Sequence, residues 1–221
     1  MQKKKIIMIL TVFVLMFSVS CGHAKLGTTE EDINIEITKP QIEKMQIGEQ
    51  TGMSSRENLV NEALGLEQQK YYDYKTDDSV KEMSIYLMEV DDNGKWVKKE
   101  IAKETILPKE RTFLIATSIK NSKMYLGFSK DENELSGAYD IPLKRSDKVI
   151  SSADFSGKEN IEKGEIIPLF MYYSYDDKNS SKIDKAFENK EDPSGVKTMY
   201  ENPDKVKQLL DDHFLVGVEF K

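Results

Sequence analysis

The sequence predicts a mainly β protein: an antiparallel β-sandwich, immunoglobulin-like or jelly-roll-like, with two or three short helices. Three observations carry this expectation. Short β-prone runs recur from residue 80 to residue 220, separated by polar turn clusters, the spacing of all-β sandwiches. Asp91-Asp92-Asn93-Gly94 divides two apolar runs, and Asn-Gly in that setting is the strongest short-range hairpin signal. Helical periodicity is confined to brief stretches.

The chain opens on Met1-Gln2-Lys3-Lys4-Lys5, followed by an apolar run from Ile6 to Phe17 and small residues before Cys21. A positive start, an apolar middle and a small-residue cleavage site make an export signal over residues 1–20. The apolar run of about twelve residues is too short for a bilayer core, which needs about 20. The segment resembles a bacterial lipoprotein signal, in which the cysteine after the cleavage site is lipidated; Ser18 stands where that pattern prefers Leu. Cys21 is the only cysteine in the chain, so no intramolecular disulfide can form, and acylation removes a free thiol from an oxidising compartment. The expectation is a protein anchored by lipid at Cys21 on the extracytoplasmic face of the cell membrane. Two acyl chains hold stably where one holds marginally, since each buried methylene contributes about 0.8 kcal/mol.

Removing residues 1–20 takes away three lysines and no acids, so the formal net charge moves from −7 to −10. An acidic domain excludes nucleic-acid binding by electrostatics, because phosphate demands a basic face. Residues 21–53 are polar and read as a lipidated N-terminus and flexible tether. Within them Ile33, Ile35 and Ile37 alternate with polar residues until Pro40, the period of an edge strand of the domain or of a segment that pairs with a partner.

Residues 54–221 are expected to form one sandwich domain. Ser54 and Glu57 have capping-box spacing, Leu59, Val60, Ala63 and Leu64 make a stripe, and Gly65 ends the helix. Strands follow at Val80–Val90, returning through Lys95-Trp96-Val97, then at Thr112–Ile119, Lys123–Ser129, Ala138–Leu143, Ile166–Tyr175 and Phe214–Phe220. In the last, Phe214, Val216, Val218 and Phe220 face one way, with Gly217 and Glu219 opposite. A helix runs from Ser181 through Phe187, and Asn202-Pro203-Asp204 opens another as N-cap, N1 and dipole partner. Strict alternation in 166–175 puts Ile167, Leu169, Met171, Tyr173 and Tyr175 on one face and Ile166, Pro168, Phe170 and Tyr172 on the other. Both faces are apolar, as they are in 83–90, so something must cover the outer one: short helices and loops of the same chain, or a ligand.

A wider similarity rests on Asp77-Asp78-Ser79-Val80-Lys81 before a strand, Gly94-Lys95-Trp96 after its turn, Glu165-Ile166-Ile167-Pro168-Leu169, and the helix start Pro203-Asp204-Lys205. Over roughly residues 55–221 this pattern resembles a group of β-rich Gram-positive lipoproteins without assigned activity. The resemblance implies fold and location and carries no chemistry.

The chain offers little catalytic equipment. Of two histidines, His23 lies in the tether and His213 at a helix-to-strand junction, where the expected role is to cap a helix C-terminus. No Gly-x-Ser-x-Gly elbow and no phosphate loop occur, and no acidic cluster has calcium-loop spacing, although two turns brought together could hold Ca²⁺. No catalytic residue, metal ligand or cofactor is assigned. Twin stretches, Tyr71-Tyr72-Asp73-Tyr74 and Tyr172-Tyr173-Ser174-Tyr175, are either core and edge strands or a tyrosine platform. In the second case Tyr72, Tyr74, Tyr172 and Tyr175 would contact a sugar or peptide. The expected function is non-catalytic binding of a protein, peptide or glycan outside the cell. The rivals are a hydrolase that uses carboxylates alone on a cell-envelope or glycan substrate, and a structural envelope accessory.

Overall fold

The computed structural model describes residues 41–50, 66, 68–105, 109–128, 135–142, 148–189, 192 and 195–221. The export signal, Cys21, the 33–38 alternation and the 54–65 helix lie outside the described residues. Among the described residues, eleven strands form two antiparallel sheets, a β-sandwich with short helices. The first sheet has the order β7 (Leu135–Asp140), β6 (Lys123–Phe128), β5 (Glu110–Ser118), β2 (Gln68–Lys75), β1 (Gln46–Glu49), β9 (Lys158–Asn160). The second runs β4 (Trp96–Thr105), β3 (Glu82–Val90), β11 (His213–Phe220), β10 (Ile166–Tyr175), β8 (Val149–Asp154).

β1 corrects the reading of residues 21–53 as tether throughout. Gln46–Glu49 lies between β2 and β9 in the six-stranded sheet, and Ile47 is fully buried. Four residues containing a glycine are too few to announce a strand by alternation.

The core is aromatic and joins the sheets. Tyr72 stacks on Phe113 at 5.3 Å, Tyr74 meets Phe220 of the facing sheet edge-on at 5.3 Å, and Tyr172 lies 5.5 Å from Phe214. Tyr72 donates its hydroxyl to the Leu169 carbonyl at 3.3 Å, and the hydroxyls of Tyr172 and Thr117 share a hydrogen bond at 2.9 Å. The Tyr74 hydroxyl is equally buried but has no partner among the described residues. An unmet buried hydroxyl costs about 1–3 kcal/mol, whereas a satisfied one contributes about 1. Tyr74→Phe is therefore expected to leave stability unchanged or raise it by about 1 kcal/mol, while Tyr72→Phe lowers it by about the same amount. Urea denaturation of the two variants checks the opposite signs.

Strict alternation in β10 is also corrected. Its register against β11 shifts between Pro168 and Phe170, a bulge that places one extra residue on β10. Ile167, Phe170 and Tyr172 consequently align with Val218, Val216 and Phe214 on the inner face. Pro168 sits beyond the end of the pairing with β8, which begins at Phe170, where a missing N–H is best tolerated.

Three helices cover part of the outer face of the five-stranded sheet: α1 (Ser180–Phe187), α2 (Val196–Glu201) and α3 (Pro203–Leu209). α2 packs on β10 and α3 on β3, burying Ile183, Phe187, Val196, Met199 and Val206. The apolar outer face thus finds its cover within the chain. Asn202 does not cap α3 through its side chain; it donates to the Thr198 carbonyl of α2 at 2.8 Å and ties the two helices together.

The predicted β3–β4 turn forms around Asp91, whose carboxylate accepts the Asn93 and Lys95 amides at 2.8 and 2.9 Å. These bonds, that from Lys95 foremost, hold its carboxyl below the usual range. Gly94 adopts φ +72°, a conformation that favours glycine, and packs against the Asp204 side chain of α3. Lys207 of α3 donates to the Asp91 carbonyl and the Asp92 carboxylate at 3.1 and 3.2 Å, fastening the hairpin tip to the helix.

Candidate functional site

The four tyrosines expected to form a platform do not meet at the surface. Tyr72 and Tyr74 are 0% exposed and Tyr172 6%, because their positions on β2 and β10 face the core between the sheets. Tyr175 is half-buried and stacks on Tyr173 at 5.9 Å. Core packing claims three of the four, and a ring with no exposed face can stack on no ligand.

A concave site lies instead where the β9–β10 segment meets α2. It is a cleft of about 330 Å³ lined by Phe155, Ile166, Ile167, Pro168, Val196 and Tyr200, together with Glu159, Glu162, Glu165, Asp192 and Glu201. Its position follows from local chemistry. Gly164 takes φ +82°, a conformation suited to glycine, and closes a turn in which the Glu165 amide donates to the Glu162 carbonyl at 3.1 Å. The Gly164 amide donates to the Phe220 carbonyl at 2.9 Å, holding this turn to β11. On the opposite wall, Asp192 accepts the Thr198 amide of α2 at 2.7 Å, so its carboxylate serves as a helix cap.

The charge balance of the cleft is lopsided. Among the described residues, five carboxylates line it against one cation, Lys197, which pairs with Glu159 at 3.1 Å. Other lysines of the β9–β10 segment turn elsewhere: Lys163 donates to the Ser79 carbonyl at 2.6 Å and Lys158 to the Gln41 carbonyl. Burial, then the charges of Glu165 and Glu219, push the Tyr200 hydroxyl above its ordinary pKa. Among the described residues, no three His, Cys, Asp or Glu side chains converge as a metal site would require.

Beside the cleft lies a satisfied polar cluster on β3 and β11. Tyr86 donates to Glu219 at 2.8 Å, and Lys221 donates to the Tyr86 hydroxyl at 2.9 Å and pairs with Glu219 at 3.0 Å. Burial pushes the Glu219 carboxyl up, but the bonds from Tyr86 and Lys221 outweigh it and hold it low.

His213 is not a helix cap. It opens β11, and its Nε2 accepts the Val90 amide at 3.1 Å. α3 ends instead with the Leu210 amide donating to the Val206 carbonyl. The Nδ1 of His213 is buried without a partner among the described residues, and Trp96 meets the imidazole edge-on at 6.2 Å. Trp96 also stacks on Tyr200 at 6.1 Å and donates its indole N–H to the Tyr200 carbonyl at 2.7 Å. A continuous path therefore runs from His213 through Trp96 to α2, the cleft wall.

Sequence reading missed this site because its acids come from separate stretches. Glu159, Glu162 and Glu165 are evenly spaced around Gly164, which is the only local signal. Fold and cleft together define a two-sheet antiparallel sandwich with a helix-walled acidic cleft on one flank. No family model matches the chain, and no curated protein or solved structure matches it either.

Proposed function

We propose that this chain is a lipid-anchored protein of the extracytoplasmic face of a bacterial membrane. Its sandwich serves as a non-catalytic binding domain that takes a basic peptide segment in the acidic cleft. The observation that carries the binding reading is that, among the described residues, five carboxylates and one lysine surround the apolar Ile166, Pro168 and Val196. A lysine or arginine side chain suits such a surface, laying its methylene stem on apolar atoms and its charged head among carboxylates. The anchor reading rests on the signal pattern of residues 1–20 and on Cys21 as the sole cysteine.

The test uses the full chain and a lysine-rich peptide of defined sequence, with a glutamate-rich peptide as control. The basic peptide should bind, weaken steeply with added salt, and bind roughly tenfold less well to a Glu162→Gln/Glu165→Gln/Glu201→Gln variant. Equal affinity of the variant and the wild-type chain would remove the cleft from the account. In parallel, metabolic labelling with a lipid precursor should mark the chain and fail on Cys21→Ala; label retained by that variant would overturn the anchor.

The gathering of carboxylates beside Tyr200 favours one second reading, a carboxylate-dependent hydrolase of cell-envelope glycan. It requires turnover of such a substrate, abolished by single Glu→Gln changes that leave binding intact.

A further inference from the structure

The geometry around His213 describes a two-position element. Val90 N–H donates to Nε2, so the imidazole is neutral and carries its hydrogen on Nδ1. A doubly protonated ring would set Nε2–H against Val90 N–H, donor facing donor, while Nδ1–H stays buried without an acceptor among the described residues. Val90 and Trp96 are register partners at the closed end of the β3–β4 hairpin. Displacing one displaces the other, and Trp96 is what the Tyr200 carbonyl and ring hold on α2.

We propose that protonation of His213 unseats Trp96 and loosens α2, making the wall of the acidic cleft open at mildly acidic pH. Asp212, beside His213 in the chain, favours the cation; burial outweighs this and holds the group below its ordinary value. From β10 its register partner is Tyr173, whose own hydroxyl is pushed up by burial. β3 and β4 present the uncharged Val90 and Trp96. On the α3 flank the cation Lys207 is engaged with Asp91 and Asp92. Because the native state holds the imidazole neutral, its contribution to stability is complete above the ordinary value of about 6.5. That contribution is lost as pH falls from there through the lower native value.

The latch rests on the cleft being the binding site only for its consequence; its motion can be read without any ligand. Trp96 is the only tryptophan in the chain, so intrinsic fluorescence of the full chain in detergent reports this one position. Between pH 8 and pH 5 its emission should red-shift in a single transition centred below about 6.5, and His213→Gln should abolish the transition. Should that variant fail to fold, the wild-type Val90 amide resonance decides, because it must titrate together with the His213 ring. Emission that stays flat while His213 titrates, or a transition that persists in His213→Gln, would overturn the latch. The lysine-rich peptide, tested at pH 7.5 and 5.5, separates the two readings. A latch transition with no peptide binding at either pH leaves the latch standing and removes the cleft as binding site. Binding lost on acidification in wild type and retained in His213→Gln supports both.

Discussion

Phe113→Ala is expected to remove about 3–5 kcal/mol of folding stability, the loss associated with truncating a buried aromatic. Phe113 is 1% exposed and lies at the centre of the aromatic core, within 5.3 Å of Tyr72 and 6.3 Å of both Tyr74 and Phe128. Truncation opens a cavity walled by aromatic residues of the two strands that flank β5, and Tyr72 and Tyr74 are held in place by Leu169 and Phe220 of the facing sheet. A marginally stable domain holds about 5–15 kcal/mol in total, so this single change takes a large share. The denaturation midpoint in urea should fall with little change in slope. A loss below about 2 kcal/mol would contradict the packing described.

Arg111→Met should cost about 3 kcal/mol for a different reason. The guanidinium of Arg111 on β5 pairs with Glu104 on β4, bridging the two sheets, and lies 5.3 Å from the centre of the Phe128 ring. The side chains are only 6% and 19% exposed, and one Glu104 oxygen has no hydrogen-bond partner among the described residues. Removing the arginine strands a largely buried carboxylate, whereas replacing both partners by apolar residues strands nothing. The Arg111→Met/Glu104→Met double variant should therefore recover most of the loss. A double variant as unstable as the single one would mean that Arg111 acts through packing alone.

How far the fold could be read from sequence varied with what each strand buries. β10 is apolar on both faces and β11 alternates cleanly on its inner one, and both were legible to within a residue or two. β4 could be followed only to Val97, because Lys98, Lys99 and Glu100 are exposed at a sheet edge; such charges protect an edge from pairing and erase the hydrophobic signal. β9, three charged and polar residues long, carries no signal at all. The bulge at Leu169 was invisible because a run of apolar residues looks alike in either register. That shift turns Phe170 and Tyr172 inward, and it shows why side-chain type alone could not tell a tyrosine platform from a tyrosine core. The cleft was the least legible feature. It is assembled from residues 155–168 and 192–201, and only the packing of α2 on β10 brings them together.

The placement of β11 bears on the timing of folding. The last strand of the sequence is the middle strand of its sheet, hydrogen-bonded to β3 on one side and β10 on the other. Lys221 is pinned to residues 81 and 82 by three backbone bonds. While residues 213–220 are still being synthesised, β3 and β10 have nothing between them, and this sheet cannot close. Pairings this distant in sequence form slowly, so the five-stranded sheet completes only after β11 is available to pair with both β3 and β10. Closure of this sheet is therefore a late event: the pairs β3–β4 and β8–β10 stand as separate pieces until β11 joins them.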